Sequence, residues 1–282
     1  MINIFLFVYC LVNSLIVDGI QDPLLEDLVQ LEKVASANFA GAILQPASGT
    51  SFYGVSGALS VFNPKVENKE QMSVSAIWVL NRTPNNFNAV VVGWHVMPEI
   101  YNDDKTHLFI YWASDNLKRG CHNLQCRGFI QVDKSITPGQ AFNQTSTIDG
   151  LTIMVSLGIL QDPKTKNWWI YVNEKGIGYY PASLFSRLTT VDQVAWYGKT
   201  LNAMYAPSPP MGSGVLPNGI LGHACYFKDL AFVNNDRKQQ RFTKDMGQIK
   251  TTHPLCYSAA YYQDLQTGLS LQFGGPGGGK CN

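Results

Sequence analysis

From Phe39 onward this chain is a succession of short apolar runs with a period of two. No helical stretch of the roughly 10–15 residues that a βαβ unit requires lies between them. Met72 to Leu80, Val90 to Val96, Leu108 to Trp112 and Phe129 to Val132 are rich in β-branched and aromatic residues. So are Leu151 to Leu160, Trp168 to Val172, Val194 to Tyr197 and Leu269 to Phe273. Turn clusters such as Asn102-Asp103-Asp104 and Gly274-Gly275-Pro276-Gly277 separate them, and the turn Asp162 to Asn167 joins two runs directly as a hairpin. Strands this numerous with connections this short predict an all-β, two-sheet antiparallel sandwich in preference to a barrel. Helix is expected in two brief places. One is Asp22 to Leu31, where Asp22 caps and Pro23 fits the first turn; the other is Ala182 to Leu188 after Pro181.

The N-terminus breaks this pattern. Ile2 to Val17 is almost wholly apolar, and Val17-Asp18-Gly19 offers the small residues of a signal-peptidase site. The chain therefore divides into a signal peptide (1–19), a short helical segment (20–38) and one β-sandwich domain (39–282). No later stretch reaches the roughly 20 apolar residues of a membrane span. Cysteine usage agrees with secretion. Cys10 leaves with the signal, Cys121 and Cys126 close a tight loop, and Cys256 and Cys281 bracket the C-terminal hairpin; Cys225 is left as a buried free thiol. No second ligand pair has metal-site spacing, so neither a metal nor a cofactor is expected. Two sequons, at Asn81 and Asn143, are usable only in the secretory pathway. The formal net charge of +1 and the scattered Lys and Arg exclude a nucleic-acid partner. An extracellular monomer is the expectation.

Several islands, in order, carry a family resemblance. They include Ser75-Ala76-Ile77-Trp78-Val79, Gly93-Trp94-His95-Val96 with Pro98-Glu99-Ile100-Tyr101, and Leu108 to Trp112. Gly120 to Phe129, Asn167-Trp168-Trp169, Gly178-Tyr179-Tyr180-Pro181, Pro210 to Gly214 and Gly274 to Gly278 follow. Together they resemble the neprosin family of plant glutamic peptidases. The resemblance implies a sandwich of the lectin/glucanase type and cleavage after proline by a pair of glutamates. One carboxylate activates water and the other supplies a proton, a division of labour that proximity enforces by pushing their pKa values apart. In the family the first glutamate sits in an Ile-Glu-Ala-Gly-Trp motif, matched here by Val90-Val91-Val92-Gly93-Trp94. The second sits in Gly-Gly-Glu-Val, matched by Tyr197-Gly198-Lys199-Thr200. The resemblance thus assigns Val91 and Lys199 to the two catalytic positions and expects both side chains in one groove, on neighbouring or facing strands. Valine transfers no proton, and losing both groups removes two contributions of about 10²–10⁴-fold each.

The other candidates have plainer readings. His95 lies two residues after Val91 and shares its face, where a structural or ligand-contacting role is favoured over catalysis. Trp94 then points into the core, and Trp168-Trp169 place one ring on each side of their strand. Glu99, the one acid near the first motif, is expected outside the groove. Gly212-Ser213-Gly214 lacks the strand-to-helix turn of a nucleophile elbow. The leading expectation is a secreted pseudo-peptidase that binds peptide or another polar ligand through Lys199, His95 and Tyr197. The alternatives are a working peptidase with a relocated acid such as Glu99, and a carbohydrate-binding wall protein.

Overall fold

The computed structural model describes residues 37–83, 86–116, 118–203, 206–265 and 268–281. The signal peptide and the helix expected over Asp22 to Leu31 lie outside the described residues. Two antiparallel sheets make up the rest. The first runs in the order β14 (Gln248–Thr251), β1 (Ala37–Leu44), β11 (Gln193–Leu201), β3 (Met72–Thr83), β4 (Asn86–Val96), β5 (His107–Ser114) and β6 (Arg119–His122). The second runs β15 (Ser258–Asp264), β16 (Gly268–Gly274), β12 (Cys225–Val233), β2 (Gly54–Ser60), β8 (Met154–Gln161), β9 (Trp168–Val172), β10 (Lys175–Tyr180) and β7 (Ile130–Gln131), with β13 (Gln239–Arg241) paired to β12. This is the β-sandwich the period-two pattern predicts.

Alternation along each strand decides which face its residues serve. Ile77, Val79, Val90, Val92, Trp94, Ile110, Trp112 and Trp196 of the first sheet meet Val55, Leu59, Leu157, Ile159, Trp168, Phe227 and Phe273 of the second in one buried core. Two indoles bind the layers as well as filling them. Trp94 Nε1 donates to the Ser60 carbonyl at 2.9 Å, and Trp196 Nε1 donates to the Ser56 carbonyl at 2.8 Å, both on β2. Trp168 is fully buried and Trp169 half-exposed, one ring on each side of β9. Gly93 beside Trp94 is a close-approach glycine: a Cβ there would stand 2.1 Å from the Ser75 carbonyl oxygen on β3.

Cys121 is bonded to Cys126 and Cys256 to Cys281. Cys225 is reduced and buried between the sheets, where burial pushes its thiol up to about 12, so it is inert as a nucleophile. The helix expected over Ala182 to Leu188 shrinks to a 3₁₀ turn, Ala182–Leu184. Phe185 instead turns its ring edge-on to Trp112 and Tyr180, at 5.9 and 6.5 Å, a tertiary contact that overrides local helix preference. A four-residue helix that the sequence did not announce, α1 (Pro98–Tyr101), follows β4.

If the sandwich is fastened through Trp94, Trp94→Ala lowers stability by about 3–5 kcal/mol. Trp169→Ala, on the half-exposed side of the second sheet, costs far less. Chemical denaturation of both variants measures this; equal losses would contradict it.

Candidate functional site

The side of the first sheet turned away from the core carries a second buried cluster. Phe39 and Ile43 of β1, Ala195, Tyr197 and Leu201 of β11, and Met72, Val74, Ala76, Trp78 and Leu80 of β3 belong to it. So do Phe87, Ala89 and Val91 of β4 and Phe109, Tyr111 and Ala113 of β5. Strand register sorts this outer face into rows. Val91 lies opposite Trp78 on one side and Tyr111 on the other, and Tyr111 lies opposite His122 of β6. Lys199 lies opposite Val74, which in turn faces His95, followed by His107. Lys199 therefore shares its row with His95. Trp78 and Val74 are four residues apart on β3, so Val91 and Lys199 sit on one face of one sheet with β3 between them, staggered by four residues. They are not on adjacent or facing strands as the sequence suggested, because β3 inserts between the two motif-bearing strands.

Around His95 the face turns polar and aromatic. The His95 ring is fully buried and stacks on Phe109, with centroids 4.3 Å apart and planes within 9°. His95 Nε2 and the Tyr101 hydroxyl share a hydrogen bond of 2.8 Å, and Asn123 Nδ2 donates to that same hydroxyl at 2.8 Å. Asn123 also accepts from the Ile110 amide through Oδ1, which fixes its orientation. The Tyr101 ring lies parallel on His107 at 3.6 Å. His107 reaches the Gly139 carbonyl through Nδ1 and the Asp103 carboxylate through Nε2, at 2.7 and 2.9 Å. Each ring nitrogen of His107 thus has an oxygen partner, which fixes the ring beneath Tyr101.

His122 closes the cluster, 4.8 Å from the Tyr111 ring and 6.1 Å from His95. Burial brings His122 down to about 3, while His95 is held well below the ordinary histidine value by burial, then by His122 and His107. Burial likewise raises the Tyr101 and Tyr111 hydroxyls, so both remain protonated donors.

The expected site residues Val91, His95, Tyr197 and Lys199 all lie on this face. Tyr197 stacks on Phe39 at 5.3 Å and tilts against Trp78 at 4.4 Å. Lys199 is buried, with 2% of its surface exposed. Glu99 stands apart on α1, half-buried, and its carboxyl is raised by burial and by Glu70. Among the described residues, no position that β1, β11, β3, β4 or β5 turns to this face is Asp or Glu. No three His, Cys, Asp or Glu side chains are placed to hold a metal ion there or elsewhere in the described residues.

Sequence reasoning missed Tyr101, Phe109, Tyr111, His107 and His122. One signal was available for His122: Cys121 belongs to the core, so its neighbour on the same strand must point outward. The sequon asparagines differ. Asn143 is exposed, whereas Asn81 is buried on β3 with its Nδ2 donating to Thr190 Oγ1 at 3.3 Å.

Two antiparallel sheets share one core in a β-sandwich, and the outer face of the first carries a buried set of aromatic, His and Lys side chains. The Neprosin family model matches residues 69–276, about three-quarters of the chain. The chain belongs to the Neprosin family. Among solved structures it is similar to scytalido-glutamic peptidase with a transition-state analog inhibitor, at TM-score 0.46 and 10% identity over 85% of this chain and 99% of that one. A second complex of that peptidase, with a peptide-based transition-state analog, gives 0.42 and 11% over the same shares of the two chains. SCP-B, a member of the eqolisin family of peptidases in complex with the tripeptide Ala-Ile-His, gives 0.40 and 9%, again over 85% and 99%.

The buried histidines make stability depend on pH. His95 and His122 are neutral in the fold, whereas the unfolded chain protonates them near 6.5. Below that pH the unfolded state holds more protons, so stability falls as pH drops from about 6.5 towards the folded value, about 3 for His122. Each histidine contributes a slope of about 1.4 kcal/mol per pH unit within that window. Denaturation midpoints between about pH 6 and 4.5 should decline in the unmodified protein and decline less steeply in His122→Asn. An unchanged slope in that variant would show that His122 titrates alike in both states.

Proposed function

We propose that this protein is a secreted, non-catalytic member of its peptidase-like family. Its outer sheet face binds peptide or another polar ligand without cleaving it. The observation that carries this reading is the chemistry of that face: Val91 and Lys199 occupy the positions to which the resemblance assigns the glutamates, and no strand position around them supplies a replacement acid. A lysine and neutral histidines cannot reproduce a pair of carboxylates sharing one proton. They can recognise a ligand. Lys199 and His95 flank Val74 in one row beside the rings of Tyr197, Trp78 and Phe109; all are buried in the fold, so binding here requires this face to be uncovered. Two disulfides and the apolar leader support an extracellular location, and among the described residues no helix is long and apolar enough to cross a membrane.

One observation favours carbohydrate as a second class of ligand. On the outer side of the second sheet, half-exposed Trp169 and Tyr179 lie 5.0 Å apart and Tyr171 lies 6.5 Å from Trp169. This aromatic strip is separate from the His95 and Lys199 face, so the two readings are resolved by which side a ligand touches.

The purified protein should leave proline-containing peptides intact between about pH 2 and 7 while binding some of them, and Lys199→Met should weaken binding of acidic peptides about tenfold or more. Mass spectrometry of the peptides and a binding titration measure the two parts. Acid-dependent cleavage that Glu99→Gln abolishes would overturn this reading and make the chain an enzyme with a relocated acid.

A further inference from the structure

We infer that Asn143 alone of the two sequons carries an N-linked glycan, and that its first sugar seats in the cleft at whose lip Asn143 stands. Both asparagines are followed at the second position by threonine, with Pro84 after the first sequon and Ser146 after the second. The fold separates them. Asn81 is 8% exposed near the hairpin end of the β3–β4 pair, opposite Asn88, and its Nδ2 already donates to Thr190. One Nδ2 hydrogen is committed to Thr190, so a sugar on the other must leave through the packing around a buried side chain, which disfavours it in the folded molecule.

Asn143 is exposed, in a segment held on both sides. The Phe142 amide donates to the Thr106 carbonyl at 2.9 Å, and the Ser146 amide donates to the Val61 carbonyl at 2.6 Å. The asparagine is thus presented outward from an ordered backbone.

Beside it opens a cleft of about 470 Å³ between this segment and the adjoining parts of β8 and β9. Its floor is apolar, formed by Ile136, Phe142, Val155 and Val172, and its rim includes Gln140 and Asn173. The rim amides are oriented. Gln140 Oε1 accepts from the Thr137 amide and Asn173 Oδ1 accepts from the Ser156 amide, at 2.9 and 3.0 Å, which leaves both NH₂ groups as donors. An N-acetylated pyranose suits such a place: one ring face is apolar, and its acetamide carbonyl accepts hydrogen bonds. An apolar floor with few polar anchors is the usual character of a small-ligand cleft. The linkage at Asn143 supplies the occupant at the lip itself.

The test uses the complete chain behind a strong heterologous leader in a eukaryotic secretory host, so that entry does not depend on the native leader. Intact mass should show one glycan, unchanged in Asn81→Gln and lost in Asn143→Gln. Trimming to a single N-acetylglucosamine should leave the melting temperature unchanged. Complete removal should lower it by about 2–4 °C, the shift expected for loss of one modest contact in a domain of this size. Asn143→Gln should melt with the fully deglycosylated protein, and in Phe142→Ser trimmed and fully deglycosylated forms should melt together. A glycan on Asn81 of the folded protein, or none on Asn143, would overturn the site. Identical melting of trimmed and fully deglycosylated unmodified protein would overturn the seat.

Discussion

Trp94 fixes what the rest of the structure can do. Its ring fills the core between the two sheets, and its indole nitrogen donates to the Ser60 carbonyl, so a side chain of one layer is anchored to the backbone of the other. With that residue committed inward, alternation leaves no choice for its neighbours. Gly93, Val91 and His95 must face outward, and Gly93 must lack a side chain because the β3 backbone passes where one would stand. One packing decision on β4 therefore sets the floor of the outer face and places a histidine beside it. Trp196 repeats the arrangement on β11 and turns Tyr197 outward by the same logic.

The outer face built this way has an electrostatic character unlike that of a carboxylate dyad. The titratable side chains its strands turn outward include histidines, tyrosines and a lysine, with Asp103 reaching His107 at the edge, and burial keeps His95 and His122 neutral and Tyr101 and Tyr111 protonated. General acid–base work near the operating pH needs groups whose protonation can change there. Here desolvation moves the buried groups away from that range in the direction that favours their uncharged forms. Such a face holds fixed donors, acceptors and ring surfaces in place. That character is the basis of the binding role proposed above.

Much of this was legible in the sequence. Period-two runs with turn-length gaps gave the sandwich, alternation placed Trp94 in the core and put Trp168 and Trp169 on opposite sides of their strand, and His95 was placed on the face of Val91. What remained hidden depends on partners far apart in the chain. The stagger between Val91 and Lys199 is set by how β11 and β4 each register on β3, which no local pattern encodes. Tyr101 reaches His95 and His107 only because α1 folds back after β4, and His122 joins them through the pairing of β6 with β5. The Ala182 to Leu188 helix failed for a related reason: Phe185 gains more from aromatic neighbours than from another helical turn.

The central claim is that the outer face around His95 and Lys199 binds without reacting. Hydrogen exchange with and without a mixture of proline-containing peptides, at about pH 5 with the peptide masses followed in parallel, tests it most directly. The account predicts added protection in β4 around Val91 to His95 and in β11 around Ala195 to Lys199, with every peptide recovered at full length. Shortened peptides, or protection confined to the Trp169 and Tyr179 side of the other sheet, would contradict it.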